Sequence, residues 1–245
     1  MIYSLTKKRD RILVFLILIL ALPGIYIPQV LGEDPGTALA VWQNMIDGGA
    51  FNRLKIPDYQ NIMQSVDLFL TWWTPGQYLF PGVLSKTGLT LGASSLIISM
   101  IFSMLGLIGW QKVYQQLKID ENWITFCLLM IATSRLFTTN FTNYTGGEVL
   151  IFGGQPWSIY IYLKYQNKLG FLFLNLLLIS LFCFFLKSSY TIGFGAIGVC
   201  AGLFFLQDRS SKTRLNVVFS ILVCCIVYFI IIQVGFLKLG TNPTS

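Results

Sequence analysis

The sequence predicts an all-α polytopic membrane protein: a transmembrane helical bundle of about seven spans, N-terminus cytoplasmic, with short interfacial helices in the first outer loop. Composition is the first reason. Of 245 residues, 55% are hydrophobic and 11% are charged, and the mean hydropathy is +0.68. A water-soluble domain usually carries about 25% charged residues, so most of this surface must face something other than water. Grouping is the second reason. The apolar residues form blocks close to the ~20 residues that a helix needs to cross ~30 Å of hydrocarbon, rather than recurring at amphipathic spacing. A soluble enzyme, a disulfide scaffold and a disordered chain are thereby excluded.

Taken in order, the expected spans are 12–31, 91–110, 123–137, 149–163, 169–186, 190–206 and 215–237. The first follows the charged run Lys7-Lys8-Arg9-Asp10-Arg11, as in a secretory signal, but its apolar stretch exceeds the ~7–15 residues of a cleavable one and bulky residues precede Gly32. An uncleaved span is expected. Residues 32–90 form the one long non-spanning stretch, rich in apolar and aromatic side chains. Ala38-Leu39-Ala40-Val41-Trp42 with Met45-Ile46 suits a helix lying at the interface, and a second such helix is expected from Gln77 to Lys86. Trp72-Trp73 and Tyr78-Leu79-Phe80 suit headgroup depth, where amphipathic rings are favoured. The third span carries Arg135 and the fourth Pro156. The whole of 1–245 reads as one transmembrane domain with no internal repeat.

Charge sets the orientation. With the N-terminus inside, the inner segments hold Lys7, Lys8, Arg9, Arg11, Lys112, Lys118, Lys164, Lys168, Arg209, Lys212 and Arg214, eleven of the seventeen basic residues. Most of the acid, including Glu33, Asp34, Asp47, Asp58, Asp67 and Glu148, falls outside. This is the positive-inside bias. The net charge of +7 then reflects topology and anionic lipid, without nucleic acid. The plasma (inner) membrane of a bacterium is the expected location. Two sequons, at Asn140 and Asn143, lie in a predicted outer loop and would be acceptors in a eukaryotic secretory pathway.

Histidine is absent, which removes His-based zinc sites, Ser-His-Asp triads and histidine proton shuttles. The five cysteines all fall inside apolar blocks without CxxC spacing and read as small buried hydrophobes. Ionisable residues are nearly missing from mid-span, which argues against a transporter. They gather instead at the outer face: Glu33 and Asp34 after the first span, Arg135 closing the third, Glu148 opening the fourth, and Lys187 between the fifth and sixth. Carboxylates there can take a proton from an alcohol, and Lys or Arg can hold a phosphate. Plainer readings stand beside each. Asp34 before Pro35-Gly36 is also a helix N-cap, Glu148 also suits a helix N-terminus, and Lys187 and Arg135 also suit snorkelling to lipid phosphates.

The order of elements resembles the membrane glycosyltransferases of the GT-C superfold, which includes the aminoarabinose and protein mannosyl transferases that use polyprenyl-phosphate sugars. In that family the first span leads to an acidic motif and a short helix ending in a Gly-Asp-Trp-like turn. Asp34-Pro35-Gly36 through Trp42, Met45 and Gly48-Gly49-Ala50-Phe51 resembles that segment, with Pro35 where the family has Glu. The run from Trp73-Thr74-Pro75-Gly76-Gln77 to Pro81 is similar to the aromatic Pro-Gly segment before the second span. Tyr144 and Glu148 resemble the second acidic position, and Phe185-Leu186-Lys187 with Ile192-Gly193 resembles the stretch whose lysine contacts carrier phosphate.

The resemblance implies transfer of a sugar from a polyprenyl-phosphate donor to an acceptor at the outer face of the membrane. Asp34 is then the general base, Glu148 positions the acceptor or shares a metal with Asp34, and Lys187, seconded by Arg135, holds the departing lipid phosphate. Mg²⁺ or Mn²⁺ is the metal such oxygen ligands suit. Only the N-terminal part of the family is matched, so a protein subunit supplying further helices is an expected partner, beside the lipid-linked donor and membrane lipid. The alternative is a non-catalytic membrane protein, either a truncated relic of a transferase or a scaffold subunit.

Overall fold

The computed structural model describes residues 2–27, 29–70, 74–165, 168–207 and 212–236. The expected headgroup pair Trp72-Trp73, the basic residues Arg209 and Lys238, and residues 240–245 lie outside these. Of the described residues 75% are helical. Among the described residues two helical stretches, Leu91–Gln116 and Val217–Phe236, are long and apolar enough to cross a membrane.

Helix α1 (Ile2–Tyr26) leads to a two-residue strand β1 (Val30–Leu31) and then α2 (Glu33–Ile46). Helix α3 (Gly76–Ser85) precedes α4 (Leu91–Gln116), whose start is capped by the Thr90 hydroxyl accepting from the Ala93 N–H at 3.2 Å. Thus α2 and α3 occupy the two places expected of interfacial helices. Four further long helices, α7 (Gly147–Tyr165), α8 (Leu169–Leu186), α9 (Tyr190–Gln207) and α10 (Lys212–Ile230), follow the later apolar blocks, and α10 continues as a π-helical turn to Phe236.

One expected element is divided. The block expected over 123–137 forms α5 (Glu121–Thr133) and a separate short α6 (Arg135–Thr139). Ser134 makes the break: its backbone is extended, and its hydroxyl accepts the Phe137 N–H, starting a new helix with a new direction. Arg135 therefore opens α6 instead of closing the span.

The chain also forms strands inside the expected all-α class. Residues Arg53–Pro57 (β2) and Ser65–Phe69 (β3) pair antiparallel, with Leu54 opposite Leu68 and Ile56 opposite Val66. Side chains alternate across a strand, so these four apolar residues share one face while Lys55 and Asp67 share the other. Strand β1 pairs in parallel with β4 (Asn143–Tyr144), Val30 beside Asn143 and Leu31 beside Tyr144.

The bundle is centred on α4 and α7, which run in the same direction. A Cβ on Gly106 would strike the Phe152 ring, and one on Gly153 would lie 2.6 Å from Phe102 Cδ1, so each helix offers a glycine where the other presents a phenylalanine. Close approach through small residues is how helices associate where hydrocarbon supplies no hydrophobic drive. Ser94, Ser95, Ser99 and Ser103 of α4 are buried with them. The outward faces are apolar instead: Phe171, Leu174 and Leu178 of α8 and Phe219, Leu222 and Ile226 of α10 are all more than half exposed. The described cysteines, Cys127, Cys183, Cys224 and Cys225, are free thiols within the helices.

At the end of the bundle where α1 and α5 begin, Arg9 is buried and donates to Glu121 at 2.6 Å and to Asp10 at 3.2 Å. At the other end, Asn140 of the first sequon is 6% exposed, and its side-chain oxygen accepts from the Thr145 hydroxyl, so the folded chain leaves no room for a glycan there. Asn143 of the second is exposed in β4.

Candidate functional site

The parallel β1/β4 bridge decides what meets at this end. Val30 N–H donates to the Thr142 carbonyl at 3.0 Å, and the buried Gln29 amide donates to the Asn140 carbonyl at 2.8 Å, so the chain leaving α1 is tied to the chain about to begin α7. Continuing past this bridge, Glu33 and Asp34 enter the first turn of α2 while Gly146, Gly147 and Glu148 start α7. Pro35 is buried in that first turn.

Gly146 has φ +61°, a left-handed conformation open to glycine at little cost. A Cβ there would lie 3.0 Å from Gln77 Oε1 and 3.3 Å from Pro35 Cγ, so α2, α3 and the start of α7 meet at this residue. The Tyr144 hydroxyl donates to the Gln77 carbonyl at 2.6 Å, fixing α3 from the same loop. Tyr78, one residue on, donates to Asn52 Oδ1 at 3.0 Å. Burial pushes both phenols, Tyr78 and Tyr144, above the usual tyrosine range and keeps them neutral donors.

Gly147 has the same role toward α8. A Cβ on it would be 2.8 Å from Lys187 Cδ, so the lysine stem crosses the glycine and its ammonium forms an ion pair with Glu148. Lys187 follows the end of α8 with extended backbone, its N–H bonded to the Cys183 carbonyl. The pair thus joins an acid at a helix N-terminus to a base at a helix C-terminus, and both placements agree with the helix dipoles. The Glu148 side chain is 61% exposed and that of Lys187 24%, so the pair is wet and worth about 0–1 kcal/mol to stability.

No protein-family model matches the chain, and no curated protein matches it.

Of the four residues expected at the site, Glu148 and Lys187 are in contact, and Asp34 sits next to Pro35, which packs on the residue two before Glu148. Asp34 itself is exposed. Arg135 is not gathered with them. It is exposed at the start of α6, where its carbonyl accepts the Thr138 and Thr139 hydroxyls, and it makes no ion pair among the described residues. Its chain neighbours Ser134 and Leu136, with Thr139, Asn140 and Thr145, line a cavity of about 360 Å³ to which Glu148 contributes.

Among the described residues no three His, Cys, Asp or Glu side chains gather to hold a metal. Of Asp34 and Glu148, the pair expected for Mg²⁺ or Mn²⁺, Glu148 is paired with the Lys187 ammonium and Asp34 is exposed.

Two residues beyond the expected set shape the site. Gln77 and Pro35 form the wall against Gly146. Pro35 reads in the sequence only as a departure from an acidic pair, and its packing role depends on a contact more than a hundred residues away, which local pattern does not carry.

Proposed function

We propose that the chain is a multi-pass, GT-C-like glycosyltransferase module. It transfers a sugar from a polyprenyl-phosphate donor to an acceptor at the outer face of a plasma membrane. The single observation that carries this reading is the meeting of Glu148 and Lys187 near the Asp34-Pro35 turn: an acid and a base 39 residues apart in sequence, on successive helices, with the turn that carries a further carboxylate packed at the start of the first.

In this reading the seven apolar blocks all span, with the N-terminus inside, so α2, α3 and the β-strands lie outside at the membrane surface. The acceptor hydroxyl is oriented by Glu148, and its proton goes to the Asp34 carboxylate as its oxygen attacks the anomeric carbon. The new glycosidic C–O bond forms as the bond from that carbon to the phosphate oxygen breaks. The developing charge on the lipid phosphate is met by the Lys187 ammonium, released from Glu148. Arg135, exposed beside the cavity to which Glu148 contributes, seconds Lys187 in holding that phosphate.

The test is transfer from a radiolabelled polyprenyl-phosphate sugar in proteoliposomes. Asp34→Ala is expected to lower turnover by about 10²- to 10⁴-fold, the usual range for loss of a general base. Equal turnover by wild type and variant overturns the mechanism. A second reading, a non-catalytic scaffold subunit, is favoured by one observation: Glu148 and Lys187 already satisfy each other and so latch α7 to α8 without any ligand. Equal turnover would leave that reading standing.

A further inference from the structure

The β2–β3 ribbon has a rigid root and an apolar, unpartnered tip. At the root, Asn44 donates from its amide to the Arg53 carbonyl at 2.9 Å, and Asn52 to the Leu70 carbonyl at 2.7 Å. Leu54 packs on the cluster of Trp42, Leu70 and Tyr78, while Phe69 meets the Phe236 ring at 5.6 Å between centroids. Phe236 ends the apolar stretch Val217–Phe236, so the ribbon starts beside the end of a helix able to cross a membrane. Five residue pairs at ~3.4 Å each carry the tip roughly 17 Å from that root.

The tip exposes Tyr59 at 93%, Ile62 at 79% and Met63 at 88%. No charged residue occurs between Tyr59 and Gln64. Behind the tip the apolar face continues through Val66 and Leu68, each about two-fifths exposed. The turn also bonds part of its own backbone. Asp58 N–H donates to the Gln64 carbonyl, Gln64 N–H to the Asn61 carbonyl, and the Gln60 and Met63 N–H groups to the Asp58 and Asn61 side chains. These four amides enter an interface without being stranded, and the others keep water at headgroup depth. Tyr with aliphatic neighbours is the side-chain mixture favoured at headgroup depth.

We propose that this ribbon is a membrane finger, its tip resting in the lipid leaflet that surrounds the Phe236 end of α10. The occupant of its apolar face is lipid. Continuity with the bilayer-facing surface of α10 is the reason: a ribbon rooted at Phe236 reaches lipid within its own length. The inference does not depend on sugar transfer, and its test uses no transferase assay.

The experiment places an environment-sensitive dye on Ile62→Cys in the full chain, reconstituted in phosphatidylethanolamine and phosphatidylglycerol vesicles, with wild type labelled in parallel to subtract native thiols. Nitroxide-bearing lipids are expected to quench the dye several-fold more than aqueous iodide does. Adding Tyr59→Asn and Met63→Asn, both at exposed positions, is expected to reverse that ratio while the helical content stays unchanged. Strong iodide quenching with no lipid quenching overturns the proposal. So does shielding from both quenchers, which would mark a protein partner or a second copy on the tip.

Discussion

At the residue scale the Glu148–Lys187 pair separates the catalytic reading from the structural one. A latch between α7 and α8 keeps an ion pair whichever side carries which charge and loses only the favourable dipole placements, whereas a phosphate needs the ammonium on the α8 side. The exchange Glu148→Lys with Lys187→Glu is therefore expected to cost at most about 2 kcal/mol of stability, the dipole contribution at two exposed helix ends. It is expected to lower transfer by about 10²-fold or more, since the donor aimed at developing charge is lost. Melting in detergent and turnover in proteoliposomes, measured on one preparation, check the two halves. Unchanged transfer would assign the pair to structure alone. These two residues are legible from the sequence as charges beside apolar blocks. Arg135 is legible in the same way, but its place in the helices is not, because the Ser134 cap starts a new helix just before it. Cap geometry at a single serine outweighs the apolar continuity of the block.

At the element scale the α4–α7 crossing depends on glycines set against aromatic rings. Gly106→Leu forces its side chain into Phe152 and is expected to cost roughly 1–3 kcal/mol, as overpacking does in a close-packed interior. Gly195→Ala in α9 meets nothing within 4 Å and is expected to raise stability by roughly 0.5–1 kcal/mol, the penalty of glycine in a helix. Opposite shifts of the two melting temperatures in detergent are the check. A Gly106→Leu variant as stable as wild type would mean that the helices part without cost. The long helices are readable because hydropathy in blocks is a strong local signal. The β2–β3 ribbon is hidden because its alternation is brief, from Leu54 to Ile56 and from Val66 to Leu68, and its stability depends on Asn44, Asn52 and Tyr78 outside the strands. An isolated two-stranded ribbon is marginal at best in water.

At the scale of the whole molecule, basic residues are in excess on one side of the expected spans, eleven of the seventeen, and the proposed seven-span topology makes this a statement about compartments. A cysteine in place of Lys118, in the turn before α5, is expected to react with an impermeant thiol reagent only after the membrane is opened. One in place of Asp47, just past α2, is expected to react in intact cells. Reaction of both from the same side would refute the topology, and the outer-face site with it. A mainly helical chain and its charge asymmetry are readable without a structure, because each sums many weak contributions of the same sign. The approach of the Asp34-Pro35 turn to the start of α7 is not, since a two-residue parallel bridge, Val30 with Asn143 and Leu31 with Tyr144, ties the two segments together.

That bridge has a consequence for biosynthesis. Its first strand leaves the ribosome more than a hundred residues before its partner, and Lys187 is made later still. Helices α2 to α5 are therefore made while the α1 exit waits unpaired. The Glu148–Lys187 pair forms only after α8 has been made, so an intermediate stalled before then has the start of α7 without its tie to α8.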